Sequence, residues 1–579
     1  MTGRAQALGV SAVVVLAALV WGVLALQLDV PTVFGDELIY WDASRSLADG
    51  DGLAVRDGGY GFGPVYPALL APVHALAGGD LDAYRLARLV NALCFALAAI
   101  PVLLLARRVV PARWALACAA LAVAVPSALY TGFVMTEALA YPAACLAFLA
   151  ITAMAERPTT SRQLVALAAV AFAAGVRLQL AVLGVVLLLT LAGGRLLADW
   201  PRRPTRQELA RLWPVGGATG IALVVLAWRV AGGSPLAGYG GLWQGYDPVE
   251  VARWAWRALG GFSLYLALVP VVAAPAALAL LWRDGRRGDR AAAALLALAC
   301  STTLALLLVV GAFSSTTYGV GFLHDRYLFY AAPLWLIVLA VWAERREPLR
   351  RLELAVGGIA ALALAGTLPT YLLKQDGGRL FDAVATAIPG ELAVRLGRGE
   401  PARWLLVAAV AAAVALVALV PRTGRAVLLA VVGAVFLLGG ALAWDLRIES
   451  ARNTTFAAMD ASSVEWVDRS LPPGEGAVVL AGTVDVAQRD ALRLTEFFNG
   501  TVGRVLELGE GLAPTLSSDA VRLDGDGTVV GSRHVPGAGA HVVAPPALPV
   551  DGTLLAEGTT ARLRLWRLDG PLRMAADRG

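Results

Sequence analysis

Asp36 and Glu37 form an adjacent carboxylate pair where the first apolar run ends, within Val33-Phe34-Gly35-Asp36-Glu37-Leu38-Ile39-Tyr40-Trp41. A charge beside hydrocarbon loses hydration, so such a pair is usually kept for proton transfer or ion handling. The bland alternative is a solvated acidic loop, because Asp29, Asp42, Asp49 and Asp51 lie close by. Three further places carry charge amid apolar chain. Glu137 closes Tyr130-Thr131-Gly132-Phe133-Val134-Met135-Thr136-Glu137, Arg177 is the only charge between Arg162 and Arg195, and His324-Asp325-Arg326-Tyr327 opens another apolar stretch. Carboxylates act as general bases or bind cations, and guanidinium forks match phosphate oxygens. Such a set suits a reaction in which phosphate departs and a hydroxyl attacks. Tyr40, His324 and Tyr327 are candidate substrate contacts. His74 has no second His or Cys beside it and reads as an interfacial side chain, not a ligand. The competing reading of the whole set is structural, as ion pairs that pin helices together.

The elements that must position these residues are membrane helices. The chain has 579 residues, 58% of them hydrophobic and only 16% charged, and a mean hydropathy of +0.68. That composition reads as a polytopic membrane protein. The basic pI near 9.1 reflects arginines in short loops and not nucleic-acid binding; Lys374 is the sole lysine, a bias that suggests a GC-rich bacterial source. Cys94, Cys118, Cys145 and Cys300 fall inside apolar runs without a CxxC pair, so they read as small buried hydrophobes. The N-terminal run lacks a small-residue cleavage site and reads as an anchor.

A span needs roughly 20 apolar residues, and arginine-rich connections face the cytoplasm. Thirteen candidate spans lie near 8–28, 84–106, 113–131, 137–155, 163–176, 178–194, 213–231, 261–282, 291–311, 328–343, 352–373, 403–421 and 426–444. Six basic connections, holding Arg107, Arg157, Arg202 with Arg203, Arg287, Arg345 and Arg422, can all face inward without conflict. The run 163–194 suits one tilted helix or a hairpin. The hairpin keeps both flanking basic clusters inside and puts Arg177 at its outer apex. Asp36, Glu37, Glu137, Arg177 and Arg326 are then expected at one membrane face, and the C-terminus outside.

The first outer loop, 29–83, contains 61–74, which is apolar but too short and proline-broken to span, as an interfacial helix would be. After Trp444 the composition becomes mixed and turn-rich. A helical stretch over 455–470 and strands near 477–480, 505–508, 528–530, 541–543 and 561–568 predict a small α+β domain over 445–579. The fold class expected is therefore a polytopic α-helical membrane domain, 1–444, with an extracytoplasmic α+β domain. The sequons at Asn453 and Asn499 read as chance matches.

The Asp36-Glu37 pair, Tyr66-Pro67-Ala68-Leu69-Leu70-Ala71-Pro72, Met135-Thr136-Glu137 and Arg326-Tyr327-Leu328 together resemble the GT-C membrane glycosyltransferases. The likeness is nearest to the protein O-mannosyltransferases and the lipid A aminoarabinose transferases. It covers about residues 1–345 in motifs and the rest in layout. It implies transfer of a hexose or pentose from a polyprenyl-phosphate donor to a glycan, lipid or protein acceptor, outside the bacterial cytoplasmic membrane. By the same resemblance Asp36 matches the catalytic acidic position, Glu37 its neighbour in the pair and Glu137 the second acidic position. Arg326 would neutralise the donor phosphate, with Arg177 a second candidate. The family's metal-binding acidic pattern is absent in its usual form, so no cofactor is certain, a divalent cation could still take part, and the metal question stays open.

The expected chemistry is an inverting displacement at the anomeric carbon. A transporter or flippase is the rival; it predicts paired repeats and charges near mid-membrane, whereas here no clear repeat appears and the charges sit at span ends. A non-catalytic envelope scaffold is the other rival, and it would tolerate loss of Asp36.

Overall fold

The computed structural model describes residues 3–28, 35–56, 58–199, 205–231, 246–317, 319, 321–373, 383–396, 399–453, 464–482, 486–509, 518–558 and 562–575. Asp29, Val33, Phe34, Arg202, Arg203, Lys374, Thr454, Thr455, the stretch 456–463 and Ala561 lie outside the described residues. The chain divides into two compact units. One comprises Met1–Gly22, Asn91–Thr131 and Thr136–Leu446, the other Val23–Val90, Gly132–Met135 and Arg447–Gly579.

The first unit is helical, and the chain is a multi-pass membrane protein. Among the described residues, seven helices are long and apolar enough to cross a membrane: Gly3–Leu26, Asp80–Ala106, Glu137–Glu156, Leu178–Asp199, Arg290–Ser314, Glu400–Leu419 and Ala426–Glu449. Counting each of two bent helix pairs as one span raises the number to nine. The count of thirteen includes runs whose helices are shorter, such as Thr160–Val176, Ala332–Arg345 and Arg351–Gly366. The expected span 261–282 is not one helix. Pro248–Tyr265 and Val269–Arg286 meet at 100°, because Ala267 and Leu268 take φ of 57° and 62°, a left-handed conformation that no α-helix can run through. Close helix contact relies on absent side chains. A Cβ on Gly357 would lie 2.1 Å from the Val272 carbonyl oxygen, so the helices Arg351–Gly366 and Val269–Arg286 approach at a distance that glycine alone allows. Cys94, Cys118 and Cys145 are buried as expected, but Cys300 is exposed, since its helix turns that side away from neighbouring protein.

The second unit is built on a seven-stranded mixed sheet in the order Val529–Val530, Asp519–Leu523, Val502–Leu508, Ala477–Ala481, His541–Ala544, Arg564–Leu568, Gly552–Glu557. The central strand Ala477–Ala481 runs parallel to both Val502–Leu508 and His541–Ala544. Parallel neighbours need a crossover, and the helix Val486–Phe498 supplies it between Ala477–Ala481 and Val502–Leu508. Neither that helix nor the strands Asp519–Leu523 and Gly552–Glu557 is among the elements expected from the sequence. Of the stretch 455–470, the described part forms the short helix Trp466–Ser470. The first loop belongs to this unit, as the helices Gly35–Asp49 and Val65–Leu76. The Trp41 ring stacks on Phe497 at 4.8 Å, and its indole N–H donates to the Phe497 carbonyl at 2.8 Å. Arg56 grips the Glu496 carboxylate with Nε at 2.5 Å and Nη2 at 2.8 Å.

Candidate active site

In the helical unit, a buried charged cluster forms where Glu137–Glu156 begins. Glu137 is the first residue of its helix, with Thr136 before it, and a carboxylate there meets the positive end of the helix dipole. Arg177 caps the helix Thr160–Val176 in an extended conformation, φ −145° and ψ 114°, before the 3-10 turn Leu178–Val182. That break takes Arg177 out of the helical register at the apex the hairpin reading assigns to it. Its Nη1 lies 2.5 Å from Glu137 Oε1, with side-chain exposures of 5% and 0%. Nη1 also donates to Thr136 Oγ1 at 2.9 Å and Nε to Gln179 Oε1 at 2.6 Å. A buried ion pair holds only when its remaining donors are satisfied, and Thr136 and Gln179 meet that need.

Tyr327 links this pair to the second guanidinium. Arg177 stands 5.1 Å from the Tyr327 ring centroid and Arg326 5.0 Å. Arg326 Nη2 also donates to the Tyr327 hydroxyl at 2.8 Å. Tyr330 is buried within electrostatic reach of Arg177, Glu137 and Arg326. The turn that carries Arg326 is anchored by Asp325, whose carboxylate accepts from the backbone N–H groups of Val384 at 3.2 Å and Ala385 at 2.5 Å. His324 is buried, its Nε2 3.2 Å from the Gly319 carbonyl and its ring edge-on to Phe313. The two arginines thus reach one tyrosine from separate elements, one steadied by Glu137 and the other by the Asp325 turn. Two adjacent guanidinium groups can neutralise a phosphate.

In the other unit, Asp36, Glu37 and Tyr40 share the helix Gly35–Asp49. Asp36 is half-buried in its first turn. Glu37 is fully buried; its Oε1 accepts from the Val134 backbone N–H at 2.7 Å and from the Tyr84 hydroxyl at 3.3 Å. Arg447 is close enough to Glu37 for their charges to interact and lies over the Phe133 ring at 4.6 Å. Glu37 therefore ties the segment 132–135 to its own helix. Tyr40 packs edge-on against Tyr66 and Phe62.

His74 packs inside its own unit, against the helix Gly35–Asp49. It is largely buried, 2.9 Å from Ser44 Oγ and 4.2 Å from the Trp41 ring, and burial together with the Arg45 charge lowers its pKa to about 4. Nearby Asp42 is pushed up to about 6 by burial and by the Glu496 charge. Among the described residues, no group of three or more His, Cys, Asp or Glu side chains is placed to hold a metal ion.

Asp325 and Tyr330 carry no role in the sequence reading. Asp325 had a signal, since a carboxylate next to a functional arginine in an apolar stretch must find donors somewhere. Tyr330 had none, because a buried tyrosine in a span is ordinary.

Residues 62–228 match the family model "Dolichyl-phosphate-mannose-protein mannosyltransferase", a stretch that contains Glu137 and Arg177 but neither Asp36 nor Arg326. No curated protein matches the chain. The crystal structure of ArnT from Cupriavidus metallidurans in the apo state superposes with a TM-score of 0.53 at 17% identity, over 96% of this chain and 97% of that one. The structure of ArnT bound to undecaprenyl phosphate matches with the same values. At that identity the likeness is one of fold, and it extends over nearly the whole of both chains.

Proposed function

We propose that this chain, which has the fold of the GT-C membrane glycosyltransferases, moves a sugar from a polyprenyl-phosphate donor to an acceptor hydroxyl at the extracytoplasmic face of a bacterial cytoplasmic membrane. The observation that carries the reading is the buried cluster of Arg177, Glu137, Tyr327 and Arg326, where two guanidinium groups converge in a chain of this fold. The fold likeness includes a protein crystallised with undecaprenyl phosphate, a lipid phosphate such a pair would suit.

The reaction is an inverting displacement. The acceptor oxygen forms a bond to the anomeric carbon as the bond from that carbon to the phosphate oxygen breaks, and the polyprenyl phosphate leaves with the electron pair. Asp36 takes the acceptor proton as general base, a contribution of roughly 10²- to 10⁴-fold. Arg326 receives the charge that develops on the phosphate, and Arg177 supports it from a position set by Glu137. Preorganised charge of this kind is often the largest single catalytic effect. Glu37 is a positioning residue for the helix of Asp36, since its carboxylate is occupied by Val134 and Tyr84. The acceptor is a glycan, lipid or protein hydroxyl of the cell envelope.

The test is transfer from synthetic polyprenyl-phosphate sugars by purified protein in detergent. Arg326→Lys keeps the charge but loses the fork, so KM for the donor should rise about tenfold or more while KM for the acceptor hardly changes. Unchanged donor dependence in a folded variant removes Arg326 from the donor site.

A further inference from the structure

A second arginine cluster stands at the opposite end of the helix that Glu137 begins. Glu137–Glu156 has 20 residues, so at 1.5 Å per residue its two ends lie about 30 Å apart, one hydrocarbon thickness. At the Glu156 end is a cavity of about 840 Å³. Its wall combines Arg157, Arg195 and Arg211 with Leu188, Leu191 and Leu212. Two of the three acids of that wall pair with other arginines, and the third caps a helix. Glu156 pairs with Arg108, Asp199 lies 3.3 Å from Arg290, and Glu208 accepts from the Thr205 backbone N–H at 2.9 Å. Arg157, Arg195 and Arg211 form no ion pair among the described residues.

With Arg108 and Arg290 balancing Glu156 and Asp199, three arginines face one remaining carboxylate, Glu208, around an apolar recess, and an anion with a hydrocarbon body is the complementary occupant. We propose that this cavity is a binding site for an anionic phospholipid, with the phosphate held by Arg157, Arg195 and Arg211 and an acyl chain lying along Leu188 and Leu191. Charge complementarity selects the head group, and Leu188, 36% exposed at the cavity wall, accounts for the chain. The site is separate from the Arg177–Arg326 cluster by the length of a helix, and it does not depend on the transfer reading.

Native mass spectrometry of the full chain in detergent, titrated with phosphatidylglycerol, phosphatidylcholine or inorganic phosphate, tests it. Each basic residue near a lipid head group contributes about 1 kcal/mol, so replacing all three arginines by Gln should weaken phosphatidylglycerol retention by at least about tenfold, conservatively below the full sum. Leu188→Trp, which keeps every charge and fills the recess, should weaken it similarly. Phosphatidylcholine should be retained poorly, and millimolar inorganic phosphate should not displace phosphatidylglycerol. Full retention by Leu188→Trp would reduce the effect to surface charge, and equal retention of phosphatidylcholine would remove the head-group argument. Displacement by inorganic phosphate would make this an anion site without a lipid component. Any of these results overturns the proposal.

Discussion

Asp36 and Glu37 are neighbours in sequence with unequal surroundings. Glu37 is fully buried with two donors on one oxygen, whereas Asp36 keeps partial exposure. Asp36→Asn preserves size and removes the lone pair that a hydroxyl proton needs. Sugar transfer should fall by at least about 100-fold with little change in Tm; near-normal turnover by a stable variant would return the scaffold reading. Glu37→Gln should instead lower Tm, because a buried carboxylate that accepts a backbone N–H contributes about 1.5–3 kcal/mol per bond. His74 predicts a pH effect. Its folded pKa, about 4, lies below the ordinary value of 6.5, so its contribution is present above 6.5 and is lost as pH falls toward 4. Asp42 has the opposite sign: its pKa of about 6 lies above 3.8, so its contribution is full below 3.8 and is lost as pH rises through 6. Replacing His74 by Gln should therefore flatten the loss of Tm between pH 7.5 and pH 5, as measured by thermal melts of both proteins across that range. An unchanged slope would mean that His74 does not titrate there.

At the scale of elements, helix contacts depend on what glycine omits. Gly357→Val would force a side chain toward the Val272 carbonyl, with the Cβ only 2.1 Å from its oxygen, and overpacking of this kind costs about 1–3 kcal/mol. Gly216→Ala is the control, since a Cβ there meets nothing within 4 Å. Melting curves should separate the two by several degrees; equal Tm values would show that the helices can move apart freely. The charged elements were legible in different degrees. The isolation of Arg177 between Arg162 and Arg195 marks a break, and the helix does end there. The crossover helix Val486–Phe498 was not read, although Ala491, Leu494 and Phe498 are spaced for one buried helical face. Its polar average hides a stripe that only a parallel pair of strands makes necessary.

For the molecule as a whole, sidedness follows from where arginines collect. If the basic connections face inward, the C-terminal sheet lies outside. In a background lacking Cys94, Cys118, Cys145 and Cys300, single cysteines at Arg287 and at Asp551, both exposed, should differ in intact cells. Asp551→Cys should react with an impermeant maleimide, and Arg287→Cys only after permeabilisation. Equal labelling before permeabilisation would overturn the topology and the extracytoplasmic placement of the proposed reaction.

Composition and hydrophobic run length alone determine that this chain is a multi-pass membrane protein, because burial in lipid demands long apolar helices whatever their packing. They mark the change to mixed composition after Trp444 but not that the first loop belongs to the same compact unit. The motif residues Glu137, Arg177 and Arg326 were also visible, since an ionisable group in apolar chain is conspicuous by its cost. Tertiary structure decides what each such group meets. The Glu137–Arg177 pair, the approach of Arg177 to the Tyr327 ring beside Arg326, and the anchoring of Asp325 on Val384 and Ala385 join residues many tens of positions apart. The first loop likewise joins the C-terminal domain through Trp41 on Phe497. No local periodicity carries such pairings, because they are contacts between elements whose individual patterns are satisfied equally well by many partners.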